Sequence, residues 1–262
     1  MTYAPLQVAR TGLDAQSERM RVIANNLANV NTTGFKRDRA EFQTLAYQQI
    51  TAAGASSGGD NRYAIGLNLG TGVAVSGTGR IMSAGTLATT DNPLDLAIEG
   101  DGFFQVERPD GTTAYTRAGN FHLSSEGAIV TADGAPLQPA LQIPEGAQGI
   151  TIAPDGTVTA SVAGQAEPVE VGQIELARFA NSAGLQAIGG NLYTETAASG
   201  TPQTGAAGSE GRGSLRQGFL EGSNVNIVQE LVDMIETQRA YEVNSKMISS
   251  TDEMLRTANQ QL

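Results

Sequence analysis

The chain has 262 residues, 40% hydrophobic and 16% charged, with 32 glycines, one histidine, no cysteine and no tryptophan. Sixteen basic against 27 acidic side chains give a net charge of −11, which argues against nucleic acid as a partner, since phosphate neutralisation needs clustered Lys and Arg. The missing cysteines exclude a disulfide framework and thiolate chemistry, and no apolar run is long enough to predict a membrane-inserted helix.

Charge is uneven along the chain. Residues 1–47 carry six basic and four acidic groups, and residues 220–262 carry three and seven, so the two ends are weakly complementary. The start, Met1 to Leu13, lacks the basic opening and continuous apolar stretch of a cleavable secretory signal. The expectation is a chain that stays in the cytosol or leaves by a route that does not cleave it.

Residues 5–30 are predicted helical. Leu6, Leu13, Met20 and Leu27 recur every seven residues, with Ala9, Gln16, Ile23 and Val30 three further on, an a/d seam with one polar d position. Pro5 suits a first turn, and Gly12 costs about 1 kcal/mol against Ala. Asn29, Asn31, Thr32, Thr33 and Gly34 stop the helix, and a polar segment follows that reads as a second short helix to Gln49. Residues 1–49 are thus the N-terminal helical half of a core domain.

Residues 50–66 are small and flexible, an extended linker or arm. Residues 67–217 are predicted as a β-rich outer domain with a flexible end. Within it Leu67 to Ile81 is glycine-spaced, turns fall at Pro109-Asp110-Gly111, Ala118-Gly119-Asn120, Ala132-Asp133-Gly134 and Pro154-Asp155-Gly156, and Val169 to Phe179 alternates as one long strand. Residues 197–217 lack a periodic pattern and read as a second connection.

Residues 218–262 form the C-terminal helical half of the core domain. Asn226 is a candidate N-cap with Gln229 as capping-box partner. Ile227, Met234, Tyr241, Ile248, Leu255 and Leu262 fall on one seven-residue row, beside a polar or small row of Glu230, Thr237, Asn244, Thr251 and Ala258. Spacing of 3.5 residues over five heptads predicts supercoiling against another helix. An intramolecular helical hairpin accounts for the same heptads. The fold class expected is α+β: long N- and C-terminal helices forming a coiled-coil core, with a central all-β domain.

Catalytic equipment is sparse. His122, beside Ser124 and Ser125, lacks a nucleophile elbow and falls in a short strand. Gly70-Thr71-Gly72 and Gly77-Thr78-Gly79 lack the Lys-Ser/Thr of a phosphate loop and read as turn or bulge glycines. Glu99-Gly100-Asp101-Gly102 lacks the alternating acids of a calcium loop. No catalytic, cofactor or metal residue is assigned. A wall hydrolase would need paired carboxylates in a sugar-stacking cleft, and a secreted β-rich adhesin would not need seams at both ends.

Two polar clusters remain: Asn25, Asn26 and Asn29 with Asn31, and Gln238, Arg239 and Asn244 with their neighbours. Side-chain amides on helices bridge neighbours and fix register. For Asn29 and Asn31 helix-end chemistry is the simpler reading.

The run from Thr11 to Gln16, then from Val22 to Arg37, closely resembles the N-terminal signature of bacterial flagellar rod and hook proteins. Glu221 to Asn226 and Gln238 to Lys246 resemble the matching C-terminal end, and Ala97 to Val106 with Tyr115 to Phe121 resemble the family's β domain. Length, Leu67 to Ile81 and Arg239-Ala240-Tyr241-Glu242 are most similar to the distal-rod branch, with a proximal rod or hook-type subunit as the alternative.

The resemblance implies a homo-oligomeric helical filament that transmits torque as a driveshaft. It implies proximal rod subunits, hook subunits and surrounding basal-body rings as partners, and a place in the flagellar basal body across the periplasm. It also implies that the segment 50–66 stiffens the rod. The apolar rows Leu6, Leu13, Met20, Ile23, Leu27, Val30 and Ile227, Met234, Tyr241, Ile248, Leu255, Leu262 are the expected subunit seams.

Overall fold

The computed structural model describes residues 4–54, 56–58, 61–62, 64–163 and 167–260. The chain is α+β, with a helix at each end and a β-rich centre, and divides into two compact units. Unit 1 comprises Met1–Leu27, Asp38–Gly79 and Asn226–Leu262; unit 2 comprises Ala28–Arg37 and Arg80–Val225. Among the described residues no helix is long and apolar enough to cross a membrane.

Helix α1 spans Ala4–Ala28 and α2 spans Ile227–Gln260. The first ends two residues earlier than the heptads predict. The Asn29 carbonyl accepts from the Thr32 N–H at 3.1 Å, and Gly34 turns the chain at φ +70°, so Asn29 and Val30 lie past the helix. The N-cap of α2 is local chemistry and falls as expected: Asn226 Oδ1 accepts the Val228 and Gln229 N–H groups at 3.0 and 3.2 Å. The Gln229 amide donates forward to Asp233 at 3.3 Å.

Residues 38–51 are strands, not the second helix expected. Six strands nest as one long ribbon: β1 (Asp38–Thr44), β2 (Tyr47–Thr51), β3 (Ser56–Gly58), β4 (Asn61–Arg62), β5 (Leu67–Gly70) and β6 (Val73–Arg80). Strand β1 pairs β6, β2 pairs β5 and β3 pairs β4. Phe42, Tyr47, Ile50 and Thr51 favour strand, and Val73, Val75 and Thr78 offer a matching partner some thirty positions on, which decides against a polar helix. The Tyr47 ring covers Gly70, where a Cβ would sit 3.5 Å from it. The described residues between 50 and 66 thus belong to the far end of this ribbon.

Unit 2 is built on a seven-stranded antiparallel sheet. Its order is Gln186–Gly189, Leu192–Thr194, Thr113–Thr116, Phe103–Glu107, Glu175–Arg178 and Gln203–Ala206, with Leu137–Gln138 also on Phe103–Glu107. Strand Phe103–Glu107 is buried on both faces, because successive side chains enter different cores. Phe104, Phe121, Leu137, Ile174, Leu176 and Leu215 belong to one core; Phe103, Tyr115, Phe179 and Tyr193 form the other, with ring centroids 4.8–5.9 Å apart edge to face.

Among the described residues of unit 2 one turn recurs four times. Starting at Arg108, Ser124, Thr131 and Ala153, the first N–H donates to the carbonyl four residues on, and the glycine N–H three residues on donates back to the first carbonyl. The glycines, Gly111, Gly127, Gly134 and Gly156, all take φ between +77° and +92°, which other residues rarely adopt. Three of these turns were visible as Asp-Gly pairs; the fourth is Glu126-Gly127.

Two expectations fail here. Val169 to Phe179 is two strands, Val169–Gln173 and Glu175–Arg178, and they pair in different sheets. Ile174 marks the switch: it is fully buried and its N–H donates to the Gly156 carbonyl at 2.8 Å. Residues 197–217 are not merely a connection, since Gln203–Ala206 and Ser214–Gln217 pair with Glu175–Arg178 and Leu96–Glu99. Their pattern is hidden by glycines such as Gly205, whose missing side chain is replaced by the Arg212 guanidinium.

Gly119 has a similar constraint. Its carbonyl accepts the Leu96 N–H at 2.9 Å, and a Cβ there would collide with the Leu96 carbonyl oxygen. Gly119→Ala is expected to destabilise unit 2 by about 1–3 kcal/mol, the range of overpacked cores, in urea unfolding.

Candidate functional site

In unit 1 the two helices meet along an unusual row. A Cβ on Gly12 would lie 3.1 Å from Asn244 Nδ2, Arg19 lies 3.6 Å from the Asp233 carboxylate, and Asn26 Nδ2 donates to Glu230 Oε2 at 3.3 Å. As the first number of each pair rises the second falls, so the helices run antiparallel. Gly12, Arg19 and Asn26 are seven apart, as are Glu230, Thr237 and Asn244. The glycine that costs helix stability is therefore where α2 comes close to α1.

The row of α2 turned inward is the polar one. Glu230 and Thr237 are fully buried, with Thr237 Oγ1 donating to the Asp233 carbonyl, and Asn244 is half-buried. The apolar side chains are left outside. Ile227, Val228, Leu231, Val232 and Ile235 are all exposed, Val228 by 72%, and further along so are Tyr241, Val243, Met247 and Met254. Those of the first turns fall within about 140° of the helix circumference, one broad apolar stripe on the side opposite Glu230 and Thr237.

The predicted seam residues fall as follows. Leu6, Leu13, Met20 and Leu27 are half-buried, Ala9 and Ile23 are buried, and Val30 is half-buried off the helix. Gln16 has a buried Oε1 without a hydrogen-bond partner among the described residues. Ile227 and Tyr241 are exposed; Met234 and Ile248 are half-buried. Leu255 lies on α2 with its side-chain surroundings undescribed, and Leu262 lies outside the described residues. The in-chain pairing thus runs through Gly12, Arg19 and Asn26, a row the heptad reading passed over because only one of its members is apolar.

The polar motif residues scatter. Asn25, Gln238 and Arg239 are exposed on the helices, whereas Asn26 is buried. Asn29 belongs to unit 2, where with Thr32, Asn120 and Asn191 it lines a cleft of about 380 Å³.

A second constellation lies within unit 2. Lys36 Nζ donates to Glu221 Oε1 at 2.7 Å, and Arg117 Nε donates to Glu221 Oε2 at 2.9 Å. Lys36 is 1% exposed and Glu221 0%. Such a cluster is tolerable in a low-dielectric interior only when the remaining donors and acceptors are filled. Here the Gly85 N–H donates to Glu221 at 2.9 Å, Lys36 donates to the Ser83 carbonyl at 2.8 Å, and Arg117 donates to the Gly100 and Gly102 carbonyls at 2.8 Å. Asn224 completes it, accepting the Arg37 N–H at 2.7 Å and donating to the Ile81 carbonyl at 2.8 Å.

Three separate stretches of the sequence signature, around Lys36, Arg117 and Glu221, therefore meet in one clasp. Its residues had no assigned role from sequence; the available signal was one charged side chain within each of three motifs. Burial alone would push the Glu221 carboxyl up, but Arg117 and Lys36 outweigh it and hold it below the usual carboxylate range. Burial, then the Arg117 charge, pushes the Lys36 ammonium down, with Glu221 offsetting part of the effect.

Family models match at three places: flagella basal body rod protein over residues 6–36, the flagellar hook protein FlgE/F/G D1 domain over 97–160, and the flagellar basal body rod FlgEFG protein C-terminal region over 216–261. The chain is 51% identical over 255 residues to the flagellar basal-body rod protein FlgG of Buchnera aphidicola subsp. Acyrthosiphon pisum, covering 97% of this chain and 98% of the relative. It is 50% identical over 256 residues to FlgG of Caulobacter vibrioides, again 97% and 98%, but 36% over 245 residues to FlgF of the same organism, 92% and 90%. This chain belongs to the flagellar basal-body rod protein family. Within one organism it is nearer to FlgG than to FlgF.

Glu221 has a lowered folded-state pKa, so its contribution is present at neutral pH and is lost as pH falls through the carboxylate range. Glu221→Gln leaves two buried cations unpaired and is expected to destabilise unit 2 by about 3–5 kcal/mol at pH 7. In urea titrations the difference between variant and parent should shrink towards acid pH.

Proposed function

We propose that this chain is a structural subunit of the flagellar distal rod, polymerising with copies of itself into a helical tube that carries motor torque to the hook. The observation that carries this is the exposed apolar set on α2. Monomeric proteins rarely leave contiguous apolar patches of this kind. The stripe lies on the side of α2 opposite its α1-facing row, so its cover has to come from another copy, and a heterologous contact that does not close produces a filament.

In this reading the helices α1 and α2, within residues 1–49 and 218–262, supply a coiled-coil core, and unit 2, the larger part of residues 67–217, an outer β-rich domain. The apolar rows of the terminal helices are the lateral seams, and Asn25, Asn26, Gln238, Arg239 and Asn244 set register, whereas Asn29 serves the turn that ends α1. Proximal rod subunits adjoin one end of the polymer, hook subunits the other, and ring proteins surround it. The polymer spans the periplasm as part of the basal body. The segment 50–66 stiffens the polymer; its ribbon exposes Ile50, Ile65 and Leu67, Ile65 by 84%. The absence of a catalytic, metal or cofactor role follows from the same reading.

Two outcomes are expected. Leu231→Asp with Ile235→Asp places charges on the exposed apolar stripe, at positions open to water in the monomer. Unfolding of the monomer should stay within about 0.5 kcal/mol of the parent, the usual range for surface changes, while sedimentation shows no polymer. Normal polymerisation by this variant would remove α2 from the interface. Deleting residues 50–66 should leave a folded unit 2 and a polymer that bends more in electron micrographs; unchanged stiffness would refute the role given to the arm.

A further inference from the structure

The ribbon of unit 1 has little core of its own, yet its lower half is held to α1 at two places. At the first, Asn26 is 1% exposed in the last turns of the helix, a position where asparagine is a poor helix former and a buried amide must be paired. Its Nδ2 donates to the Asp38 carbonyl at 2.8 Å and its Oδ1 accepts the Asp38 N–H at 3.0 Å, so one side chain grips both main-chain groups of the residue that opens β1. Its second amide hydrogen goes to Glu230 of α2 at 3.3 Å.

At the second place Thr11 Oγ1 donates to the Val8 carbonyl at 2.8 Å and accepts the Val73 N–H at 3.3 Å. Gly72 beside it has φ +119°, and a Cβ there would collide with the Thr11 hydroxyl. Gly72 is joined to the outgoing strand because its carbonyl accepts the Leu45 N–H at 3.0 Å.

The two anchors match in length. Thr11 and Asn26 are fifteen residues apart, about 22 Å along a helix. From Asp38 to Leu45 is seven residues, about 23 Å along a strand. Exposure follows the same pattern: Gly72 to Ala74 and Asp38 are half-buried, whereas residues 41–44 and 75–78 between the anchors are exposed.

We propose that Asn26 and Thr11 form a two-point staple that lays the ribbon base along α1, so that helix and ribbon base move as one body and free bending of the arm begins beyond Leu45 and Gly72. Asn26 is then a positioning residue for the ribbon as well as a partner of α2. Load entering the arm passes into the helix through two side chains rather than through an apolar core.

The staple is testable on the dilute full-length chain, independently of whether it polymerises. Thr11→Val keeps the shape and removes the hydroxyl; Asn26→Leu does the same for the amide; Thr11→Ser restores the hydroxyl. Amide exchange at Val73 should quicken about tenfold in Thr11→Val, the loss of one hydrogen bond, and return in Thr11→Ser. Exchange at Asp38 should quicken similarly in Asn26→Leu. Spin labels on Ala24→Cys and Gln43→Cys should give a broader distance distribution in both valine and leucine variants. Unchanged exchange and an unchanged distribution would overturn the staple. Should Asn26→Leu unfold the helices through the lost contact with Glu230, Thr11→Val decides alone.

Discussion

The choice of which row of α2 faces α1 shapes most of what unit 1 can do. Glu230, Thr237 and Asn244 turn towards Gly12, Arg19 and Asn26, and a polar row needs matched partners where an apolar row needs only area. Such a seam specifies register better than it stabilises. It also leaves Ile227, Val228, Leu231, Val232 and Ile235 in water. Covering each square ångström of that surface gains about 25 cal/mol, so association has a driving force that folding has not used.

Unit 2 is organised by the opposite logic. Two aromatic and aliphatic cores flank strand Phe103–Glu107, and four copies of one glycine turn keep the connections short. Few large apolar side chains remain outside, Leu123 and Ile188 among them. The buried Glu221 with Lys36 and Arg117 ties the segment that arrives from α1 to the one that departs for α2. The charge divides with this logic: unit 2 holds most of the net negative charge, which suits a solvated surface.

What could be read from the sequence was what is local. The N-cap at Asn226 needs only its own next three residues, and the Asp-Gly turns need four. Heptads located both helices but not their facing rows, because periodicity gives spacing and says nothing of where a partner stands. The ribbon was missed where Asp38 to Thr51 looked polar and helix-like, since its pairing strands lie some thirty positions away. Lys36, Arg117 and Glu221 were seen inside motifs, yet separations of 81 and 104 positions hid their meeting. Val169 to Phe179 alternates evenly through Ile174, so nothing in the pattern marks the change of sheet there.

The absence of native cysteine gives the central claim a direct measurement. A single Leu231→Cys chain would be treated with a maleimide as dilute monomer and again after polymerisation, with Glu145→Cys on unit 2 as a surface control. The account predicts rapid labelling of position 231 in the monomer and strong protection in the polymer, with position 145 reactive in the monomer. Equal reactivity of position 231 in both states would contradict it, because the apolar side of α2 would then be open to water in the assembled rod.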